Sequence, residues 1–261
     1  MRFKTALLCL PLVGFALASG GWAEELQPLR YVALFTVKPG QEKTFSDLVE
    51  KHDKPVFERL MAEGTILGWG VVTPVLHGQT PATHGVWWTC SSYEGLGKIL
   101  AAFEEIEKTM GEEAVQQFVA AVDLEKHSDS LIRSMVFRTK AAGPGTHPYI
   151  SVAQWQVKPG KGSQWLERWK KYLQPVYEKL LADGVILAFG VDREEEHTMD
   201  PTFRQTWVVL PDLAAVDKVD AAFDAAHSEE EWEGINSGFR ELGEPGAHRD
   251  SMYYSLEYTT K

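Results

Sequence analysis

Two short stretches carry a histidine, an aspartate and a serine at one spacing: His127, Asp129 and Ser130, then His248, Asp250 and Ser251. A carboxylate beside a histidine fixes the imidazole tautomer and raises its basicity, which makes an oriented general base. The same residues can instead serve the fold. Asp129 and Asp250 would then bond nearby backbone at a strand entry, while His127 and His248 pack or bridge two halves of the molecule. Presence in both stretches favours the structural role, and a catalytic role for the four residues stands beside it. CxxC pairs, HExxH, GxSxG and glycine-rich phosphate loops do not occur in the chain.

The remaining polar candidates are single residues. His84 and Arg204 open strands that carry tryptophan, where each could bind an anionic group at a pocket mouth. His77 and His197 fall in loops. His52 lies on the apolar side of a helix, so it reads as a packed core histidine, with haem iron as the alternative; no cofactor is otherwise expected. REEEH at 193–197 has the spacing of a solvated loop and SEEEWEG at 228–234 that of an acidic surface helix, so no metal site is expected.

The two His-Asp stretches belong to a longer repeat. Shifted by about 120 residues, the chain matches itself. VKPG at 37–40 recurs at 157–160, and PVFERLMAEGTILGWGV at 55–71 recurs as PVYEKLLADGVILAFGV at 175–191. Trp87 falls on Trp207, and one residue later in register Ser134 falls on Ser255. The chain therefore divides into a first repeat, 24–140, a linker, 141–147, punctuated by Gly and Pro, and a second repeat, 148–261.

Residues 1–23 read as a secretory signal peptide: Arg2 and Lys4, an apolar run, then small residues up to Ala23. Its removal leaves 24 basic residues against 37 acidic ones. That balance disfavours nucleic acid and anionic membranes. The expectation is an exported protein, periplasmic or extracellular, with a small molecule as partner and no membrane contact after cleavage. Cys90 is then the only thiol, in an apolar run where burial leaves it inert.

Each repeat reads as strand, helix, strand, strand, helix, strand. The first strand is rich in β-branched and aromatic residues. The first helix repeats its apolar residues at three- and four-residue steps. Pro55 and Pro175 fall inside that helix, so a kink or a break is expected there. A βαββαβ unit makes a four-stranded antiparallel sheet with helices on one face, the ferredoxin-like arrangement. In 31–37, Tyr31, Ala33 and Phe35 alternate with Val32 and Leu34, so both faces are apolar and both need cover. The fold class is α+β: two tandem ferredoxin-like repeats packed sheet to sheet as a pseudo-two-fold α+β barrel. Duplication supplies both halves in one chain, so a monomer or a further homo-oligomer is expected.

The aromatic-led strand, VKPG, the helix with a central Pro, ILGWG or ILAFG, and the tryptophan strands HGVWW and RQTWVV resemble the dimeric α+β-barrel superfamily. The closest likeness is to NIPSNAP-like and antibiotic-biosynthesis-monooxygenase-type domains. That superfamily includes cofactor-free quinone-forming monooxygenases, haem-binding enzymes, lactone isomerases and members without a known reaction. The resemblance thus implies the fold and leaves activity open. A ligand is expected between a sheet and its helices or inside the barrel. Trp69, Trp87 and Trp207 would line the pocket, with Ser134, Tyr253 and Ser255 as polar contacts. The first expectation is a protein that binds a small, largely apolar ligand. The second is a cofactor-independent oxidoreductase with a His-Asp base, and the third a structural or interaction protein with a filled barrel. The second repeat is the more polar, with Gln154 and Gln156 where the first has Leu34 and Thr36. That asymmetry points to a ligand in one copy only.

Overall fold

A computed structural model describes residues 26–76, 82–196 and 202–261. In the first repeat, β1 (Leu29–Val37) leads through α1 (Glu42–Leu48) and α2 (Lys54–Ala62) to β2 (Ile66–Pro74) and β3 (His84–Cys90). Helices α3 (Tyr93–Met110) and α4 (Glu112–Ala121) then return the chain to β4 (Val122–Thr139). The second repeat runs β5 (Tyr149–Gln156), α5 (Gly162–Tyr172), α6 (Gln174–Ala182), β6 (Ala188–Glu194), β7 (Phe203–Leu210), α7 (Ala214–Ala226), α8 (Glu229–Leu242) and β8 (Arg249–Thr260). The signal segment, His77 and His197 lie outside the described residues.

The eight strands close into one antiparallel barrel in the order β1-β3-β2-β8-β5-β7-β6-β4. Each repeat supplies four neighbouring strands, and the two sheets face each other across the interior, as the two-faced strands require. Their edges also bond, β2 to β8 and β4 to β6. Closure leaves no open strand edge to pair with another chain.

Strand alternation sorts the side chains into layers. Tyr31 and Phe35 pack under the helices with Phe45, Phe57, Trp69 and Trp88. Trp165, Trp169, Phe189 and Phe239 build the matching layer in the second repeat. Val72, Trp87, Trp207, Val209 and Tyr258 form a third cluster inside the barrel. The last glycine of each ILGWG or ILAFG motif sets these inner tryptophans. A Cβ at Gly70 would sit 2.8 Å from Trp87 Nε1, and one at Gly190 would sit 2.4 Å from Trp207 Cζ2. Each indole therefore lies against a bare backbone.

Both prolines break their helix. In the first repeat a π-helical turn, Val49–Asp53, separates α1 from α2. In the second, Leu173 separates α5 from α6. Pro55 and Pro175 then occupy first turns, where a missing N–H costs no intrahelical bond. SEEEWEG opens α8 through a capping box of Ser228 and Glu231. The last strand of the first repeat starts earlier than its apolar run suggests. Val122–Ser130 is polar, yet β1 offers ladder partners, with Ala33 opposite Asp129. Asp129 is thus inside a strand rather than at its entry.

Candidate functional site

The two repeats differ where sheet meets helix. In the first, Tyr31 and Trp88 stack with ring centroids 4.3 Å apart, and Phe57 and Phe103 close around Trp88. The corresponding residues of the second repeat are Ser151 and Val208. Loss of two rings opens a cavity of about 260 Å³ under α6, α7 and α8, lined by Ser151, Tyr177, Val208, Phe223, Trp232 and Met252 among others. Cavities of roughly 150 Å³ hold a benzene, so this one has room for two fused rings. Its polar groups are few: the Ser151 hydroxyl, the Tyr177 phenol and the exposed Asp220. Burial, reinforced by the Asp220 charge, pushes the Tyr177 pKa up to about 12, so this phenol stays protonated and can donate.

The His-Asp pairs form in both repeats, on the helix-side faces of the sheets. His127 Nε2 lies 3.2 Å from Asp129 Oδ1, and His248 Nε2 lies 3.1 Å from Asp250 Oδ1. Each imidazole stacks on an aromatic of its own repeat, His127 on Phe35 at 4.7 Å and His248 on Trp155 at 4.0 Å. Burial, together with interaction of its hydroxyl with Asp129, raises the Tyr31 phenol pKa. The second repeat has no such tyrosine. Asp250 lies two residues before the cavity-lining Met252, roughly 7 Å along the strand.

The barrel interior holds a second cavity of about 160 Å³, lined by Trp87, Trp207, Tyr253, Tyr258 and Arg30 among others. Beside it a buried network crosses the seam between repeats. Asp192 accepts hydrogen bonds from Arg30 at 3.2 Å, Ser134 at 2.7 Å and Gln205 at 2.8 Å. The residues related by duplication to Arg30, Asp192 and Ser134 are Ile150, Val72 and Ser255. With valine in place of aspartate, the buried Ser255 hydroxyl has no hydrogen-bond partner among the described residues.

The sequence-derived pocket residues thus separate onto two faces. Trp87, Trp207 and Tyr253 line the barrel interior, while Ser134 and Ser255 lie buried in its wall. Trp69 packs under the helices, stacked on Phe57 at 5.0 Å. His84 packs there too, 5.0 Å from Phe45, and burial lowers its pKa. Arg204 reaches α5, where its Nη2 lies 2.5 Å from the place of a Cβ at Gly162. The Glu195 carboxylate of REEEH binds Arg133 and Arg193. Sequence reasoning missed Arg30, Asp192, Tyr177 and Asp53. Asp53 ends the π-helical turn, where burial raises its pKa to about 7. That poises it for acid–base work, although it lines neither cavity.

Haem does not fit these cavities. Neither is lined by a histidine or cysteine, and both fall below the roughly 300 Å³ at which pockets for drug-sized ligands begin. His52 lies in the π-helical turn, outside both, with Nε2 buried and without a hydrogen-bond partner. Among the described residues no cluster of His, Cys, Asp and Glu could hold a metal ion.

A closed barrel of two ferredoxin-like repeats defines the dimeric α+β-barrel fold. No family model matches the chain, and no curated protein matches it in sequence. Solved structures do. A Fusobacterium nucleatum protein described as a "putative monooxygenase" superposes with a TM-score of 0.65 at 12% identity, covering 90% of this chain and 95% of its own. A Lactobacillus acidophilus protein of the same description gives 0.59 at 12% identity, covering 90% and 96%. An anthrone oxidase-like protein gives 0.56 at 16% identity, covering 91% and 94%. These likenesses establish the fold.

Proposed function

We propose that this is an exported ligand-binding barrel whose second repeat takes a small, flat, largely apolar molecule between its sheet and helices. The observation that carries this reading is the exchange of Tyr31 and Trp88 for Ser151 and Val208. The same layer is filled by two rings in one repeat and empty in the other. Tyr177 and Ser151 supply hydrogen bonds to a hydroxyl or carbonyl, and Phe223 and Trp232 supply ring faces.

A monooxygenase-like reaction is the second reading, favoured by the position of Asp250. A hydroxyarene lying where the Tyr31 ring lies in the first repeat would direct its hydroxyl to Asp250, as Tyr31 directs its own to Asp129. The Asp250–His248 pair would take the hydroxyl proton and leave an electron-rich phenolate. One hydroxyarene and one dioxygen then give a quinone and one water: one oxygen atom joins the ring and the other leaves as water. The likeness in fold to proteins described as monooxygenases supports this class of reaction.

The test is titration of the mature protein with 1-naphthol, beside the S151Y/V208W variant. Binding to the wild type, and its loss in a folded variant, supports the reading. Equal binding by both places the ligand elsewhere and removes it. Oxygen uptake in the same samples separates binding alone from turnover. N-terminal sequencing of the exported protein tests cleavage after Ala23.

A further inference from the structure

The barrel interior is separate from the sheet–helix cavity, and its chemistry is different. Among its lining residues the single charged side chain is Arg30. A guanidinium has five N–H donors. The Arg30 side chain uses Nε toward Thr89 at 3.4 Å and Nη1 toward Asp192 at 3.2 Å, and makes no further hydrogen bond among the described residues. Three donors are left on a side chain that is 11% accessible, whereas its partner Asp192 is fully enclosed. The wall therefore hides the carboxylate and presents the cation. Trp207 and Trp87 flank the guanidinium, with centroids 4.2 Å and 5.7 Å away, and hold it in place.

A network built only to close the barrel would need neither the spare donors nor the room beside them. The opposite seam shows this, since it closes with Ile150 and Val72 at the same two positions. We infer that the barrel interior is a second binding site, for a small monoanion with a flat apolar body, such as an arene carboxylate. The cavity of about 160 Å³ matches the roughly 150 Å³ that holds a benzene ring. Carboxylate geometry matches the free edge of a guanidinium. Phe137, Val152 and Tyr258 supply the apolar walls. Burial raises the Tyr258 pKa to about 12, so its hydroxyl stays neutral and does not repel an anion.

Benzoate is the probe, toluene its neutral counterpart, and calorimetry of the full mature chain the measurement. The variant is R30I/D192V, which copies the opposite seam and leaves no unpaired buried charge. The wild type should bind one benzoate per chain. The double variant should still fold and bind benzoate about 30-fold more weakly, the loss of one charge-assisted contact, while toluene binding holds. Three results would each overturn the inference: no benzoate binding by the wild type, equal benzoate binding by wild type and variant, or toluene binding to the wild type as tightly as benzoate. Should the double variant not fold, competition decides. Benzoate that 1-naphthol displaces from the wild type sits in the sheet–helix cavity and refutes the assignment, whereas independent binding of the two supports it.

Discussion

Tyr31 and Trp88 lie face to face at 4.3 Å in the first repeat, and the second repeat has neither ring at those positions. One layer of a duplicated fold is thus solid in one copy and hollow in the other. Two copies that share backbone, turns and prolines differ in whether they have room for a guest.

That contrast predicts opposite responses to exchange. Tyr31→Ser with Trp88→Val should destabilise the protein by about 3–5 kcal/mol, because a buried and a half-buried ring leave a void. Ser151→Tyr with Val208→Trp should cost little or stabilise, because it fills an existing one. Urea denaturation of the two double variants measures both.

The two related serines should behave differently as well. Ser134→Ala removes a donor to the enclosed Asp192 and should cost about 1–3 kcal/mol. Ser255→Ala removes a buried hydroxyl without a partner, so it should be neutral or stabilising. Thermal melts of the single variants suffice.

His248→Gln should abolish any oxygen uptake with 1-naphthol, while His127→Gln should leave it intact, because the sheet–helix cavity lies in the second repeat. Both histidines are partly exposed, so both variants should fold. Loss of uptake in both, with folding intact, would move the reaction away from the second repeat.

Asp53 sets a pH dependence. Its folded pKa of about 7 lies above the unfolded value of 3.8. Between those values the unfolded chain has lost the proton and the folded chain keeps it, so stability falls as pH rises. The fall ends near pH 7 and amounts to at most about 4 kcal/mol. Asp53→Asn should flatten that part of the profile and be the more stable protein at pH 8, measured by denaturation at pH 4.5, 6 and 8.

Much of the frame was legible in the chain. The βαββαβ order followed from the repeat and the strand composition. Pro55 and Pro175 marked the helix breaks, and the alternation of Tyr31, Val32, Ala33 and Leu34 showed that two faces needed cover. The sites were less legible. Trp69 and Trp87 lie 18 residues apart on neighbouring strands, yet one faces helices and the other the barrel, and a β-bulge shifts the register within β2. Arg30 and Asp192 are 162 residues apart and meet only because β4 lies between their strands. The exchange of Tyr31 and Trp88 for Ser151 and Val208 was visible on alignment. It became a cavity only once both positions were known to face one helix layer.

Two identical halves would give any guest of the barrel two equivalent poses, each the half-turn of the other about the axis. A lone guanidinium breaks that degeneracy. With Arg30 answered by Ile150, a bound molecule has one head and one tail direction. A fixed head-to-tail direction, which a pair of identical subunits could not provide at their shared axis, is thus open to a barrel encoded in one chain.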